Sequence, residues 1–249
     1  APHGVDVVGV FPGAVDTGRF RPRDGWRPGA LRDPAAPTLL YHGRVDRRKG
    51  ALDLLDAFAL LLGGPLGGPL GARHPGARLV VSGIGPDSRA VADRAAELGL
   101  ADRVELAGPA AYDDVPAVYH RGDVFVSPTY AEGFSNTILE AMASGLVCVS
   151  TRSVGVVDCL RDGENGLLLA PGDVPALADA LGRALADHAL RARLAAAALA
   201  EVRATYAWPV VARQIDGVYR GVLGTVPRGA WAWDDAVEPC RFRAAPHLL

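Results

Sequence analysis

Glu132 and Glu140, two carboxylates in one short block, are the residues whose setting most suggests chemistry. The block reads Glu132-Gly133-Phe134-Ser135-Asn136-Thr137-Ile138-Leu139-Glu140-Ala141-Met142-Ala143-Ser144-Gly145. An apolar run ends just before it at Ser127-Pro128, and a helical pattern begins near Asn136. The order predicts a strand, a loop carrying Glu132, and a helix. Free N–H groups and the dipole make a helix start an anion site. Glu132 is expected in the loop at a pocket floor and Glu140 about one turn inside the helix, so both carboxylates could reach one extended ligand. Thr137-Ile138-Leu139-Glu140 also matches a capping box, in which Glu140 only satisfies the backbone at the helix start.

Two further groups sit where strand patterns give way to helices. Gly43-Arg44-Val45-Asp46-Arg47-Arg48-Lys49-Gly50 has glycine at both ends, which lets backbone approach a ligand closely. Arg44 and Lys49 supply positive charge suited to a diphosphate; the alternative is a solvated basic turn. Gly83-Ile84-Gly85-Pro86 ends the next strand pattern, and glycines there serve a ligand or only the turn.

The elements that must position these groups alternate. Strand-like runs at 38–43, 78–83, 104–107, 123–127 and 147–150 are each followed by helical or loop patterns, with helices near 51–62, 87–98, 113–120 and 136–144. Helical spacing continues from about 174 to 223. Such alternation implies right-handed crossovers and a parallel sheet covered on both faces. The expected class is α/β, a doubly wound, Rossmann-like parallel sheet, with ligands beyond the carboxyl ends of the strands. Residues 1–24 read as an interdomain linker with a first strand remnant, 25–205 as the domain, 206–224 as a C-terminal crossover helix and 225–249 as an irregular tail. The repeated Gly-Gly-Pro-Leu unit at 63–70 reads as a flexible surface loop.

A net charge of −2 gives no electrostatic reason to expect nucleic acid as a partner. Cys148, Cys159 and Cys240 form no CxxC pair and no zinc-like cluster, which suits a reducing compartment. No apolar run approaches the roughly 20 residues of a membrane span, and the cytoplasm is the default expectation. The chain opens at Ala1 and its only methionine is Met142, the pattern expected of a fragment.

The motifs together resemble the C-terminal domain of family 4 (group 1) retaining glycosyltransferases, the glycogen-synthase-like group with the GT-B fold. The resemblance runs from about Gly13 to Leu223. It rests on Val15-Asp16 with Phe20-Arg21-Pro22, the Gly43 to Gly50 loop, Gly83-Ile84-Gly85-Pro86 and Gly122-Asp123-Val124-Phe125-Val126-Ser127-Pro128. It continues in the two glutamates with seven residues between them and in Asp162-Gly163 with Asn165-Gly166-Leu167-Leu168. Two places depart from the pattern. Pro12-Gly13-Ala14-Val15-Asp16 stands where the family usually reads Pro-Asn-Gly-Val-Asp, and Ser153-Val154-Gly155-Val156 keeps one glycine of a usual pair.

The resemblance implies a nucleoside-diphosphate sugar as donor, transfer with retention to an unknown acceptor, and no metal or other cofactor. Arg44 and Lys49 would neutralise the diphosphate, and Glu132 would lie near the donor sugar; these three form the implied catalytic set. Gly43, Gly83, Gly85, Thr137 and the amides of Gly133, Phe134, Ser135 and Asn136 would line the donor, and Glu140 would hold the ribose hydroxyls. Base recognition would come from backbone near Gly108 to Tyr112. The family's N-terminal domain, which carries the acceptor site and often a histidine near the sugar, is outside this chain and is an expected partner in cis or in trans, with any peripheral membrane contact made through it. Rival readings are a nucleotide-sugar-binding module without turnover, or an epimerase or phosphorylase of the same architecture.

Overall fold

The computed structural model describes residues 11–63 and 76–225. Its strands are β1 (Thr38–His42), β2 (Arg78–Ser82), β3 (Val104–Gly108), β4 (Val124–Ser127), β5 (Val147–Thr151) and β6 (Leu167–Leu169). Its helices are α1 (Ala51–Leu61), α2 (Ser88–Glu97), α3 (Val115–Tyr119), α4 (Asn136–Ala143), α5 (Val174–Ala186), α6 (His188–Glu201) and α7 (Trp208–Thr225), with a π-helical turn at Val202–Tyr206. Residues Phe11–Val211 form one compact unit, and the described residues after Val211, the distal part of α7, belong to a second.

The six strands form one sheet in the order β3-β2-β1-β4-β5-β6, and every pairing is parallel. The apolar runs of the inner strands are continuous because both faces of the sheet are covered there, while the edge strand β3 is largely exposed. Successive strand residues point to opposite faces, and the core divides accordingly. Leu39, Tyr41, Val124, Val126, Val147 and Val149 join a cluster that also holds residues of α1 and α5. Leu40, Phe125 and Cys148 join the other, with Tyr119 of α3, Ile138, Leu139 and Met142 of α4, and Ala198 of α6. At the amino end of the sheet the buried Asp123 carboxylate accepts from the amides of Arg32 (2.7 Å) and Thr38 (2.8 Å), which ties the segment before β1 to β4.

The expected doubly wound α/β fold is therefore present. Of the segment 1–24, read as a linker with a strand remnant, residues 1–10 lie outside the described residues; in the remainder Val15 makes a single bridge to Ala207, its amide donating to the Tyr206 carbonyl at 2.9 Å. Leu167-Leu168-Leu169, of which only Leu167 and Leu168 were quoted above as part of a motif, forms the edge strand β6. The helical spacing read from about 174 to 223 is divided among α5, α6, the π-helical turn and α7. The Gly-Gly-Pro-Leu repeat beyond Gly63 and the tail beyond Thr225 lie outside the described residues.

The chain winds outward from β1 to β3 in one direction and from β4 to β6 in the other. Between β1 and β4 the winding reverses, and the loops leaving these two strands diverge. A crevice at such a switch point is where open α/β sheets bind ligands. The two loops are 43–50 and 128–135, the ones that carry the basic cluster and Glu132.

Candidate functional site

The loop after β1 is shaped by its own acidic residue. Asp46 caps the short helical turn Arg47–Lys49 by accepting from the Arg48 amide at 2.8 Å, and this hydrogen bond leads the causes that hold its carboxyl below the usual range. Its oxygens also lie 3.5 Å from Arg44 Nε and 3.6 Å from Arg48 Nε, while Arg47 turns to Asp87 at 3.6 Å. The arginines of the cluster are thus largely exposed and paired within the loop or with the next one. Lys49 differs. Gly50 adopts φ +71°, and a Cβ there would lie 2.1 Å from the Pro128 carbonyl oxygen, so the loops after β1 and β4 touch backbone to backbone. The Tyr130 amide donates to the Arg48 carbonyl at 2.8 Å across the same junction. From this junction Lys49 Nζ reaches Glu132 Oε1 at 2.6 Å, with the two side chains 28% and 18% exposed. The ion pair spans the switch point.

The glycines expected to line a ligand divide into two kinds. A Cβ on Gly83 would fall 1.8 Å from the Gly43 carbonyl oxygen, and one on Gly85 would fall 2.0 Å from that of Val45. Both are required for the close passage of the loops after β1 and β2. Gly133 has open space where its Cβ would stand, and Gly43, at φ +148°, also faces open space. Gly155, at φ +80°, packs its Cα side against the carbonyls of Gly133 and Glu132, so the loop after β5 braces the Glu132 loop.

Helix α4 begins as expected but is capped differently. Ser135 is the N-cap, with no side-chain cap hydrogen bond; its Oγ lies 3.2 Å from Thr137 Oγ1. Thr137 is already inside the helix, so the capping-box reading of Thr137 and Glu140 does not hold. Glu140 instead accepts at Oε2 from the hydroxyl of Tyr119 (2.7 Å). Burial raises the Glu140 carboxyl above its ordinary value, while the Tyr119 hydrogen bond and the charge of Arg19 pull it back. Phe134 packs by its ring on Tyr206 (6.0 Å between centroids), and Asn136 is exposed.

Glu140 and Thr137 face a cavity of about 300 Å³, whose wall also includes Asp16, Arg19, Phe20, His42, Tyr112 and Trp208. The Asp16 carboxylate accepts from the amides of Gly18 (2.9 Å) and Arg19 (3.0 Å), fixing a turn that sends Arg19 across to the loop after β3. There the Arg19 guanidinium stacks 3.7 Å from the Tyr112 ring centroid, donates to the Tyr112 carbonyl, and lies 3.9 Å from Asp113. His42 Nδ1 is 3.1 Å from Ser82 Oγ, and burial lowers the imidazole pKa.

The structure thus joins Lys49 to Glu132 and sets Glu140 and Thr137 at a neighbouring cavity. The Arg44 side chain, 63% exposed, contacts Asp46 rather than the Lys49–Glu132 pair. Arg19 and His42 line that cavity and Tyr119 holds Glu140 beside it, and none of the three was singled out by the sequence. Among the described residues no three His, Cys, Asp or Glu side chains converge as metal ligands do, and no helix is long and apolar enough to cross a membrane.

Comparison with known proteins agrees with this architecture. Residues 36–187 match the model of the family described as glycosyl transferases group 1. The chain is 34% identical over 231 residues to D-inositol 3-phosphate glycosyltransferase of Acidothermus cellulolyticus, which covers 88% of this chain and 49% of that protein. Sucrose-phosphate synthase of Thermosynechococcus elongatus superposes with a TM-score of 0.73 at 28% identity, over 88% of this chain and 53% of that one. Anabaena HepE, solved in complex with UDP-glucose, shares the fold with a TM-score of 0.71 at 20% identity, over 86% and 57% of the two chains. This chain spans about half the length of the curated relatives it matches.

Proposed function

The chain belongs to the group 1 glycosyltransferases, and on that premise we propose that it is the donor-binding half of a retaining enzyme. The enzyme moves a hexose-type sugar from a nucleoside diphosphate to an acceptor bound outside this chain. The observation that carries the reading is the 2.6 Å Lys49–Glu132 pair across the β1/β4 switch point, beside the start of α4. That arrangement offers a cation, a helix N-terminus and a carboxylate to one elongated anionic ligand. HepE, which has the same fold, was solved with UDP-glucose, and this supports the choice of ligand class.

In this reading the ribose lies in the cavity at Glu140, and the diphosphate runs over the first turn of α4 toward Lys49. Donors fixed where charge grows act with little reorganisation. The acceptor oxygen forms its bond to the anomeric carbon on the face from which the phosphate departs. The bond from that carbon to the phosphate oxygen breaks, and the departing oxygen takes the acceptor's proton. Lys49, the helix start and Arg44, a second cation on the same loop, stabilise the leaving diphosphate. Glu132 orients the sugar hydroxyls and supports positive charge at the anomeric centre.

Calorimetric titration with UDP, GDP, ADP and TDP, then with their sugars, tests the donor site and names the base. Lys49→Ala and Glu140→Ala are expected to weaken binding of the preferred diphosphate. Unchanged affinity in both variants overturns the site.

A further inference from the structure

Glu140 is anchored by one oxygen only. Oε2 accepts from the Tyr119 hydroxyl at 2.7 Å, and that hydroxyl also lies 3.3 Å from the Thr137 carbonyl oxygen. Among the described residues no hydrogen bond reaches Oε1, and Glu140 lines the cavity shared with Arg19 and His42. Tyr119 itself has no room to move. It is fully buried, and its ring meets Phe20 at 5.8 Å, His42 at 5.4 Å and Phe125 at 5.7 Å between centroids.

We propose that Tyr119 is a positioning residue: its hydroxyl fixes the plane of the Glu140 carboxylate and leaves Oε1 to read the paired hydroxyls of the bound ribose. The inference rests on the donor reading above, and adds which residue makes Glu140 selective. A carboxylate oxygen has two lone pairs, so one correctly aimed Oε1 accepts from two vicinal hydroxyls. A carboxylate free to rotate pays for that aim in lost side-chain freedom, and discriminates less. The Tyr119 phenol remains protonated, because burial first and Glu140 second push its pKa well above the ordinary value. It is therefore a permanent donor to Glu140. Among the described residues, Tyr119 from α3, Arg19 and Asp16 from the segment before β1, His42 from β1 and Tyr112 from the loop after β3 are the titratable groups around this carboxylate. The Tyr119 hydrogen bond and the Arg19 charge favour its ionised form against burial.

The test is Tyr119→Phe, which removes one oxygen and keeps the ring and its three ring contacts. Wild type and variant are titrated with the ribonucleoside and 2′-deoxyribonucleoside diphosphates of uracil, guanine and adenine, from pH 5 to 8. Wild type is expected to prefer the ribose form of its best base. The variant is expected to lose about tenfold in affinity for that form, to keep its affinity for the deoxy form, and to show a higher pH midpoint for ribose-dependent binding. A variant with the wild-type ribose preference and pH midpoint overturns the role of Tyr119 while leaving the donor site standing. A wild type that binds none of these diphosphates overturns the donor reading and this inference together. Should Tyr119→Phe fail to fold, site-specific 3-fluorotyrosine at position 119 carries the test. It keeps the oxygen, donates more strongly and is expected to lower the pH midpoint; an unmoved midpoint overturns the proposal.

Discussion

Lys49 and Glu132 come from loops that follow different strands, and their charged ends meet at 2.6 Å. A diphosphate that recruits Lys49 must compete with Glu132 for the same ammonium. In the proposed donor site the pair therefore links the phosphate end to the sugar end.

Lys49→Ala is expected to weaken binding of the preferred nucleoside diphosphate by about 10- to 100-fold, the scale of one charge-assisted hydrogen bond. Glu132→Gln should act in the opposite direction on the free diphosphate, which then binds at least as tightly because its competitor is neutral. The same variant should lose the extra affinity of the sugar-bearing donor. Calorimetry with the diphosphate and its sugar checks both; equal losses for both ligands in Glu132→Gln would contradict the competition.

The glycines separate structural from ligand-facing backbone. Gly83→Ala places its methyl on a carbonyl oxygen at a φ of +132°, so it is expected to destabilise the chain by more than about 2 kcal/mol. Gly133→Ala meets nothing in the protein and should change stability by less than about 0.5 kcal/mol. It should nonetheless weaken binding of the sugar nucleotide, because the methyl enters the space assigned to it. Denaturant unfolding and calorimetry on the same two variants test the distinction.

His42 gives the stability a pH dependence of known sign. Burial lowers its pKa in the folded chain, so the unfolded chain takes up a proton first as pH falls. Stability from this residue is fully present above the unfolded value of about 6.5, and is lost as pH falls through the lower folded value. Urea unfolding at pH 7.5 and pH 5 should show a loss in wild type that is smaller in His42→Gln. Parallel losses would remove His42 from the account.

The fold was legible because strand runs and helical spacings alternate, and because runs such as Val147-Cys148-Val149 are apolar at every position. Leu167-Leu168-Leu169 was harder to read, since three residues define no period. Glu132 and Lys49 could be found from their place after apolar runs, but their pairing is a matter of loop packing around Gly50 and Pro128. The misread feature was the cap of α4. Thr137 and Glu140 have capping-box spacing, yet the N-cap is Ser135, two residues before Thr137, and Glu140 turns to Tyr119 instead. Arg19, His42 and Tyr119 reach the site from three separate segments. Only His42 carried a local signal, as a polar residue at a strand end beside Gly43.

The most direct measurement is a crystal structure of the chain with the diphosphate that the titrations select. The account predicts ribose hydroxyls within hydrogen-bond distance of Glu140, and phosphate oxygens at the amides of Gly133 to Thr137 and at Lys49. A diphosphate bound elsewhere, or bound here with its phosphates at Glu140 and its ribose at Lys49, would contradict it.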